Sequence, residues 1–335
     1  MIIKNINTEV KYIALKIPFI TALRRVEVIE FVRVYVICDE GKVGIGEAPA
    51  TMAITGEDIS IILESIQKVK DSLVGLEIKK ALEVLHEQSI GSSAKAAIDI
   101  ALMNLLGFFK LEDTSFIQTD ITISLNPIET MLRDANRACE NGMSILKVKL
   151  GSDINHAIEV TQKLSLDLPE AQLLIDANQA WSLDESLMYV NAVEGLSIEL
   201  IEQPVIAEDL KALKLVTDAT KIPILADEAT FTLQDIKKVV QTKSADMINI
   251  KLMKCGGVSR AVEILEYARK NSIKCMLGSM LEGPYSINAA LYLAFNYRDV
   301  IEYVDLDSPL LYKEVSDELD FSFLGNLINF SGRKF

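Results

Sequence analysis

The chain has 335 residues, half of them apolar, so it can bury a large core and hold one large domain with a smaller companion. Its formal charge of −14 and pI near 4.8 argue against a nucleic-acid footprint, which needs a basic face. No apolar run reaches the roughly 18 residues of a membrane span, and Lys4, Glu9 and Lys11 interrupt the N-terminal segment, so a cytoplasmic protein with neither nucleic-acid nor membrane partners is expected.

Residues 1–115 read as an α+β lobe. Strands are expected over 3–18 and 30–38, joined by a segment through 19–25. A third strand around 44–47 leads through Pro49 and a loop at 51–56 to helical stretches over 57–74 and 92–109. Ala94, Ala96 and Ala97 on the second stretch permit close packing. The cysteines, Cys38, Cys139, Cys255 and Cys275, show no CxxC or metal-ligand spacing and are expected to be reduced. The two histidines, His86 and His156, fall in helical segments, so acid–base work is left to Lys, Asp, Glu or Tyr.

From residue 116 the pattern changes. A first strand is expected over 119–124, carrying Thr122. Short apolar runs that end in charge follow: Ile145-Leu146-Lys147-Val148-Lys149, Leu173-Leu174-Ile175-Asp176, Leu200-Ile201-Glu202, Ile224-Leu225-Ala226-Asp227, Ile248-Asn249-Ile250-Lys251 and Tyr303-Val304-Asp305-Leu306-Asp307. The charged ends from Lys149 to Lys251 recur at intervals of 27, 26, 25 and 24 residues, each long enough for a strand, a helix and two short loops. Between the runs, Leu210, Leu213 and Val216 form an apolar stripe behind Asp209 as N-cap, and Val258, Val262, Leu265 and Ala268 form another after Gly256-Gly257. The repeat predicts an α/β fold, a (β/α) barrel over 116–307, with the tail 308–335, through Phe330 and Phe335, packing back on the capping lobe.

Parallel barrel strands end at one rim, so these charges should meet in one pocket. Asp176, Glu202 and Asp227 offer three hard oxygen ligands, a set that suits Mg²⁺; taken singly, each could instead cap the next helix. Lys147 and Lys149 are two apart and so face the same way, into the barrel, where unpaired charge is costly. Their mutual repulsion beside a cation is expected to lower a lysine pKa toward that of a general base. By strand count Lys251 lies opposite Lys149, and a carbon acid between them could lose a proton to one and regain it from the other. Schiff-base chemistry is the rival for the lysines, and the three carboxylates favour the metal reading.

Lys147-Val148-Lys149, Asp176-Ala177-Asn178, Glu202-Gln203-Pro204, Asp227-Glu228 and Lys251-Leu252-Met253-Lys254-Cys255-Gly256-Gly257 together resemble the motifs of the enolase superfamily, muconate-lactonising subgroup, and within it the dipeptide epimerases. The resemblance runs over nearly the whole chain. It implies one Mg²⁺ per subunit on Asp176, Glu202 and Asp227, supported by Asn178 and Glu228, with Lys149 and Lys251 as opposed bases. Lys147 would bind the substrate carboxylate and lower the pKa of Lys149. Asp305-Leu306-Asp307 is similar to the family's Asp-x-Asp element for the free α-ammonium of a dipeptide. Arg24 matches a lid loop that meets an acidic side chain, 51–56 match a second lid loop, and Thr122 and Glu282 match pocket positions.

The implied activity is epimerisation of L-Ala-L/D-Xaa dipeptides, L-Ala-L/D-Glu foremost, as in murein peptide recycling, by a homo-oligomer. Open beside it stand a hydrophobic-dipeptide epimerase, an N-acylamino-acid racemase or o-succinylbenzoate synthase, and a catalytically silent barrel that binds a ligand. The chain departs from the family in a short lobe-to-barrel connection over 106–118 and in lacking a Gly-rich ending.

Overall fold

The computed structural model describes residues 1–22, 24–111 and 116–331. Leu23, part of the lobe-to-barrel connection and Phe335 lie outside the described residues.

The N-terminal lobe is a three-stranded antiparallel sheet, Ile3–Ile20, Arg25–Cys38 and Val43–Pro49, backed by helices. The first hairpin is longer than expected, because pairing runs on to Phe19 with Val26 and Ile20 with Arg25. Only a tight turn is left at its tip, closed by Thr21 N–H donating to the Arg24 carbonyl at 3.0 Å. The expected helices form over Ile59–Leu73, where the Asp58 carboxylate caps Ile61 N–H, and over Ser92–Leu105. A further helix, Ile78–Glu87, forms around His86, which was expected to fall in a helical segment. The alanines of Ser92–Leu105 let that helix lie flush on the sheet: a Cβ on Gly44 or Gly46 would come within 2.0 Å of the Ala101 or Ala97 carbonyl.

The barrel strands follow in sequence order: Ile121–Ile123, Ile145–Lys149, Gln172–Asp176, Ile198–Glu202, Ile224–Ala226, Met247–Lys251, Lys274–Gly278 and Ile301–Asp305, all neighbours parallel. Lys274–Gly278 ends in glycine, not charge, and so escaped the sequence pattern. The first strand is shorter than predicted. Among the described residues, seven helical crossovers join the eight strands, the one after Met247–Lys251 holding a short extra helix, Leu252–Cys255, and four of the helices are N-capped by Asp153, Ser182, Asp209 and Thr232. The first and last strands share no ladder; Asp120 N–H donates to Val304 O at 3.1 Å, and the Thr119 hydroxyl bridges Val304 O and Leu306 N–H across the seam.

Side chains alternate along a strand, which builds the barrel interior in layers. At its base Ile145, Leu174, Leu200, Leu225, Met247 and Met276 pack with Tyr303 into an apolar plug. Two residues further along these strands come Lys147, Asp176, Glu202, Asp227, Asn249, Gly278 and Asp305. Stepping by two thus carries the same strands from a dry plug to a polar layer, with Lys149 and Lys251 above it.

The tail divides. Residues 312–318 dock on the lobe, with Lys313 N–H donating to Ala14 O at 2.8 Å and Glu318 forking onto Arg33 at 2.6 Å. The hairpin Phe321–Leu324 and Leu327–Phe330 instead pairs with Ile117–Gln118, and its Phe321 and Phe330 pack on Tyr292 of the helix Pro284–Asn296.

Candidate active site

A cavity of about 50 Å³ opens at the carboxyl-terminal rim of the barrel. Lys149, Asn178, Asp227, Glu228, Lys251, Asp305, Asp307 and Thr122 line its floor and wall, and Phe19, Thr21, Arg24 and Ile54 of the lobe close it from above. The hairpin tip is pinned to the residues just after the first barrel strand, since Leu125 N–H donates to Ile20 O at 3.0 Å and Ile20 N–H to the Ser124 hydroxyl at 3.1 Å. Strand register sets the neighbours. Lys149 lies beside Asp176 and Asp176 beside Glu202 on one side; Lys251 lies beside Gly278 and Gly278 beside Asp305 on the other. A Cβ on Gly278 would stand 2.8 Å from Asn249 Oδ1 and 3.1 Å from Lys251 Cε, so glycine here keeps room for both side chains.

The lysines are held by the carboxylates. Lys149 Nζ donates to Asp176 Oδ2 at 2.5 Å and Lys251 Nζ to Asp227 Oδ2 at 2.7 Å. Burial opposes ionisation of Asp176, but Lys149 and Lys147 override it and hold the group down at about 2. Burial also opposes the charge on Lys251, yet Asp227 outweighs it and keeps the ammonium above the usual lysine range.

Lys147 is fully buried beneath the cavity and is not part of its wall. Its Nζ lies 2.6 Å from both Asp305 Oδ2 and Glu202 Oε2 and 3.3 Å from Asp176 Oδ2, and these charges hold it well above its ordinary value against the penalty of burial. It ties three strands together rather than reaching toward the cavity. Glu282 is also displaced from the expected pocket: its carboxyl accepts Met280 N–H at 2.8 Å below the start of the helix Pro284–Asn296. Thr122 does line the cavity, and its backbone N–H donates to Asp307 Oδ2 at 2.8 Å. His86 contacts Asp99 and Ser259 where lobe and barrel meet, and His156 contacts Asn126 O, both off the cavity wall.

Burial raises the Glu282 carboxyl from 4.5 to about 7. Its preference for the neutral form contributes stability below pH 4.5, which is lost as the pH rises to about 7. Glu282→Gln keeps an acceptor for Met280 N–H and removes the ionisation. The variant is expected to lose less stability than the parent between pH 5 and pH 8, seen as a smaller fall in melting temperature, the difference in unfolding free energy reaching up to about 3 kcal/mol at the alkaline end. Parallel melting curves for the two proteins would remove Glu282 as a titrating group.

Several residues that sequence reasoning passed over hold the carboxylates in place. Asn249 Nδ2 donates to Glu202 Oε1 at 2.8 Å. Gln203, with φ of 37°, uses its Oε1 to accept Asp227 N–H at 2.9 Å and Ala229 N–H at 3.1 Å. Lys254 Nζ bonds the Asp227 carboxylate and also its carbonyl at 2.6 Å. Asn178 and Gln179 follow Asp176 with φ of 44° and 66°, unusual for non-glycine residues and typical of a loop overdetermined by function. The signal for Asn249 was legible as the polar residue two before Lys251 on a strand otherwise apolar inward.

The donor set fits a divalent cation. Glu202 Oε2 meets Lys147 as an ion contact without hydrogen-bond geometry, and Asn178 Oδ1 and Glu228 Oε2 are buried without a donor. Glu202 is raised to about 8 and Glu228 to about 7, by burial first and then by the neighbouring carboxylates. Three carboxylates with orphaned acceptors around them are the hard-oxygen environment of such an ion. Among the described residues, the one set of three carboxyl groups with an oxygen from each within 4.8 Å of the others is Asp120, Asp305 and Asp307; Asp176, Glu202 and Asp227 stand wider apart, held on Lys149, Lys147 and Lys251.

Residues 130–323 match the family described as enolase C-terminal domain-like, and residues 5–117 match the mandelate racemase/muconate lactonizing enzyme N-terminal domain. The chain belongs to the enolase superfamily. This superfamily member is 58% identical to the L-amino acid-D/L-Glu epimerase of Sulfurimonas denitrificans, over 97% of this chain and 98% of that one. The substrate-liganded L-Ala-D/L-Glu epimerase of Bacillus subtilis superposes with a TM-score of 0.92 at 37% identity, covering 99% of this chain and 97% of that one. The dipeptide epimerase of Enterococcus faecalis, complexed with Mg and L-Leu-L-Tyr, superposes with a TM-score of 0.91 at 32% identity, covering 99% and 98%. No helix among the described residues of the superfamily member is long and apolar enough to cross a membrane.

Proposed function

We propose that the protein is a Mg²⁺-dependent dipeptide epimerase that moves a proton between the two faces of the α-carbon of the C-terminal residue, with L-Ala-L/D-Glu as its leading substrate. The observation that carries this reading is one cavity that holds two lysines from strands four apart in an eight-stranded barrel together with a pair of aspartates suited to an amine. The family and the relatives' activities support it.

In this reading Asp176, Glu202 and Asp227 hold the ion, with Asn178 and Glu228 beside them. When bound, it offsets the negative charge that builds on the substrate carboxylate as the α-proton leaves. Lys149 and Lys251 face the α-carbon from opposite sides: one takes the proton as a free amine and the other returns one as an ammonium. Asp305 and Asp307, two apart on one strand end, flank the N-terminal ammonium of the dipeptide. Lys147 fixes Asp305 and Glu202 and so spaces the amine end of the substrate from its carboxylate end.

Arg24 supports an acidic side chain. Its half-buried guanidinium faces the cavity, no ion pair to it occurs among the described residues, and burial lowers it to about 10. A guanidinium left without an anion at a cavity wall is suited to a carboxylate. Phe19, Ile54, Met280 and Leu281 make the rest of the wall apolar, which favours hydrophobic dipeptides as the second reading. Arg24→Met is expected to cut kcat/KM for L-Ala-L-Glu by roughly 10- to 100-fold and to leave L-Ala-L-Leu unchanged or improved. Equal losses on both dipeptides would assign Arg24 to lid closure instead.

The test of the reaction is Mg²⁺-dependent exchange of the α-proton in D₂O, followed by NMR, over a panel of L-Ala-L-Xaa dipeptides with N-succinyl amino acids as controls. Deuterium entering L-Ala-L-Glu with loss of optical purity is the expected outcome. Exchange confined to hydrophobic dipeptides would move the substrate, and exchange confined to N-succinyl amino acids would overturn the amine reading of Asp305 and Asp307.

A further inference from the structure

Asp120 has no place in the chemistry described so far, yet it is a carboxyl group close to the cavity with both oxygens unpaired. It is fully buried, and no donor among the described residues reaches either of its oxygens. Its position is not free to relax. The backbone N–H is used at the barrel seam on Val304 O, and Thr119 beside it is locked to Val304 and Leu306. Thr122 lines the cavity, so Asp120, two residues earlier, faces the same interior one layer lower.

The charges around it come from three other strands. Asp305 and Asp307 lie on and just beyond the last strand, each with an oxygen within 4.8 Å of the Asp120 oxygen; Lys147 and Glu202 face it from the second and fourth strands. One ammonium, already shared among Asp305, Glu202 and Asp176, cannot also balance two further negative charges on Asp120 and Asp307 in this space. Burial, then Asp305 and Asp307, push Asp120 well above the ordinary carboxyl range. Asp305 is held low, burial notwithstanding, by Lys147 and Lys149, and burial and Asp305 raise Asp307 to about 6. A carboxyl group without a donor, enclosed by carboxylates, satisfies its environment by carrying its own proton and donating it.

We propose that Asp120 is a positioning residue of the ammonium site, a neutral acid whose O–H braces the Asp305 and Asp307 carboxylates from below so that their outer oxygens meet the substrate amine. This rests on the amine reading of Asp305 and Asp307. Asp120 does not line the cavity, so it acts through the two aspartates and not on the substrate. The same proton keeps the site from gathering one negative charge too many, which would otherwise draw an inorganic cation into the amine position.

Two variants separate the brace from bulk and from charge. Asp120→Asn keeps the shape and the donor of the neutral acid, and Asp120→Ala removes both. The expected result is kcat/KM for L-Ala-L-Xaa within about threefold of the parent in Asp120→Asn and at least tenfold lower in Asp120→Ala, the loss lying mainly in KM. The carbonyl stretch of an un-ionised carboxylic acid, present in the infrared spectrum of the parent at neutral pH, should be missing from Asp120→Asn and so stand out as a band in the difference between the two, whatever the substrate. Matching thermal unfolding of Asp120→Asn and the parent shows that both are folded. The proposal is overturned if Asp120→Asn loses activity as severely as Asp120→Ala, if the infrared difference shows no acid band, or if Asp120→Asn weakens Mg²⁺ binding, which would make Asp120 a ligand. A parent inactive on every dipeptide but active on N-succinyl amino acids would instead remove the amine reading and leave the infrared result standing.

Discussion

Lys149→Ala abolishes epimerisation but leaves deuterium exchange into one of the two epimers, and Lys251→Ala does the same with the other epimer. The expectation follows from the barrel. The two lysines stand on strands four apart in an eight-stranded ring and both reach the same cavity, so a substrate carbon between them presents one face to each. Removing one base leaves the opposite face without an acid to complete inversion, a loss of at least about 10²–10⁴-fold in epimerisation. The remaining lysine can still take the α-proton from the epimer that faces it. Its ammonium protons exchange with solvent, so deuterium returns to the same face with configuration kept. Incubation of each variant with L,L and L,D dipeptide in D₂O, read by NMR and optical rotation, checks the split. Exchange into both epimers in a single variant would show that one lysine serves both faces.

Glu202→Gln eliminates activity at any Mg²⁺ concentration, and chelation of the parent does so reversibly. Glu202 is fully buried, with one oxygen on Asn249 and the other on Lys147 without hydrogen-bond geometry, so an amide in its place brings an N–H₂ against Lys147 as well as removing a ligand charge. In the proposed reading the ion would draw on the same carboxylates as the two ammonium groups, which would make the site sensitive to any change in their number. Asn249→Ala leaves the carboxylate but frees its orientation, and should weaken Mg²⁺ affinity by about 10–100-fold with activity restored at high Mg²⁺. Added Mg²⁺ should raise the melting temperature of the parent, by mass action on the folded state, and fail to raise that of Glu202→Gln. A parent that resists chelation, or a Glu202→Gln protein still stabilised by Mg²⁺, would move the ion to other carboxylates.

The barrel and the residues at its rim were legible because parallel strands need both apolar periodicity and a place to end, and here the ends carry charge at near-constant intervals. Asp176, Glu202, Asp227, Lys149 and Lys251 stand at those ends in the structure as in the sequence. Lys274–Gly278 was not legible, since a strand that ends in glycine to admit Asn249 and Lys251 leaves no charge to read. Asp209 as an N-cap was local chemistry and needed no tertiary information.

What tertiary structure decided is where each charge finds its partner. Sequence spacing placed Lys147 on the interior face but not beneath the cavity, because its depth depends on which strands bring Glu202 and Asp305 within 2.6 Å of its Nζ. Glu282 left the pocket because the turn before Pro284–Asn296 directs its carboxyl to Met280 N–H. Asp120 looked like any residue at the start of a short strand until the seam closed and set it against Asp305 and Asp307, 185 and 187 residues further along the chain. Periodicity fixes which side of a strand a residue faces, a local property; burial, charge balance and pKa arise from groups far apart in sequence and exist only once the barrel has closed.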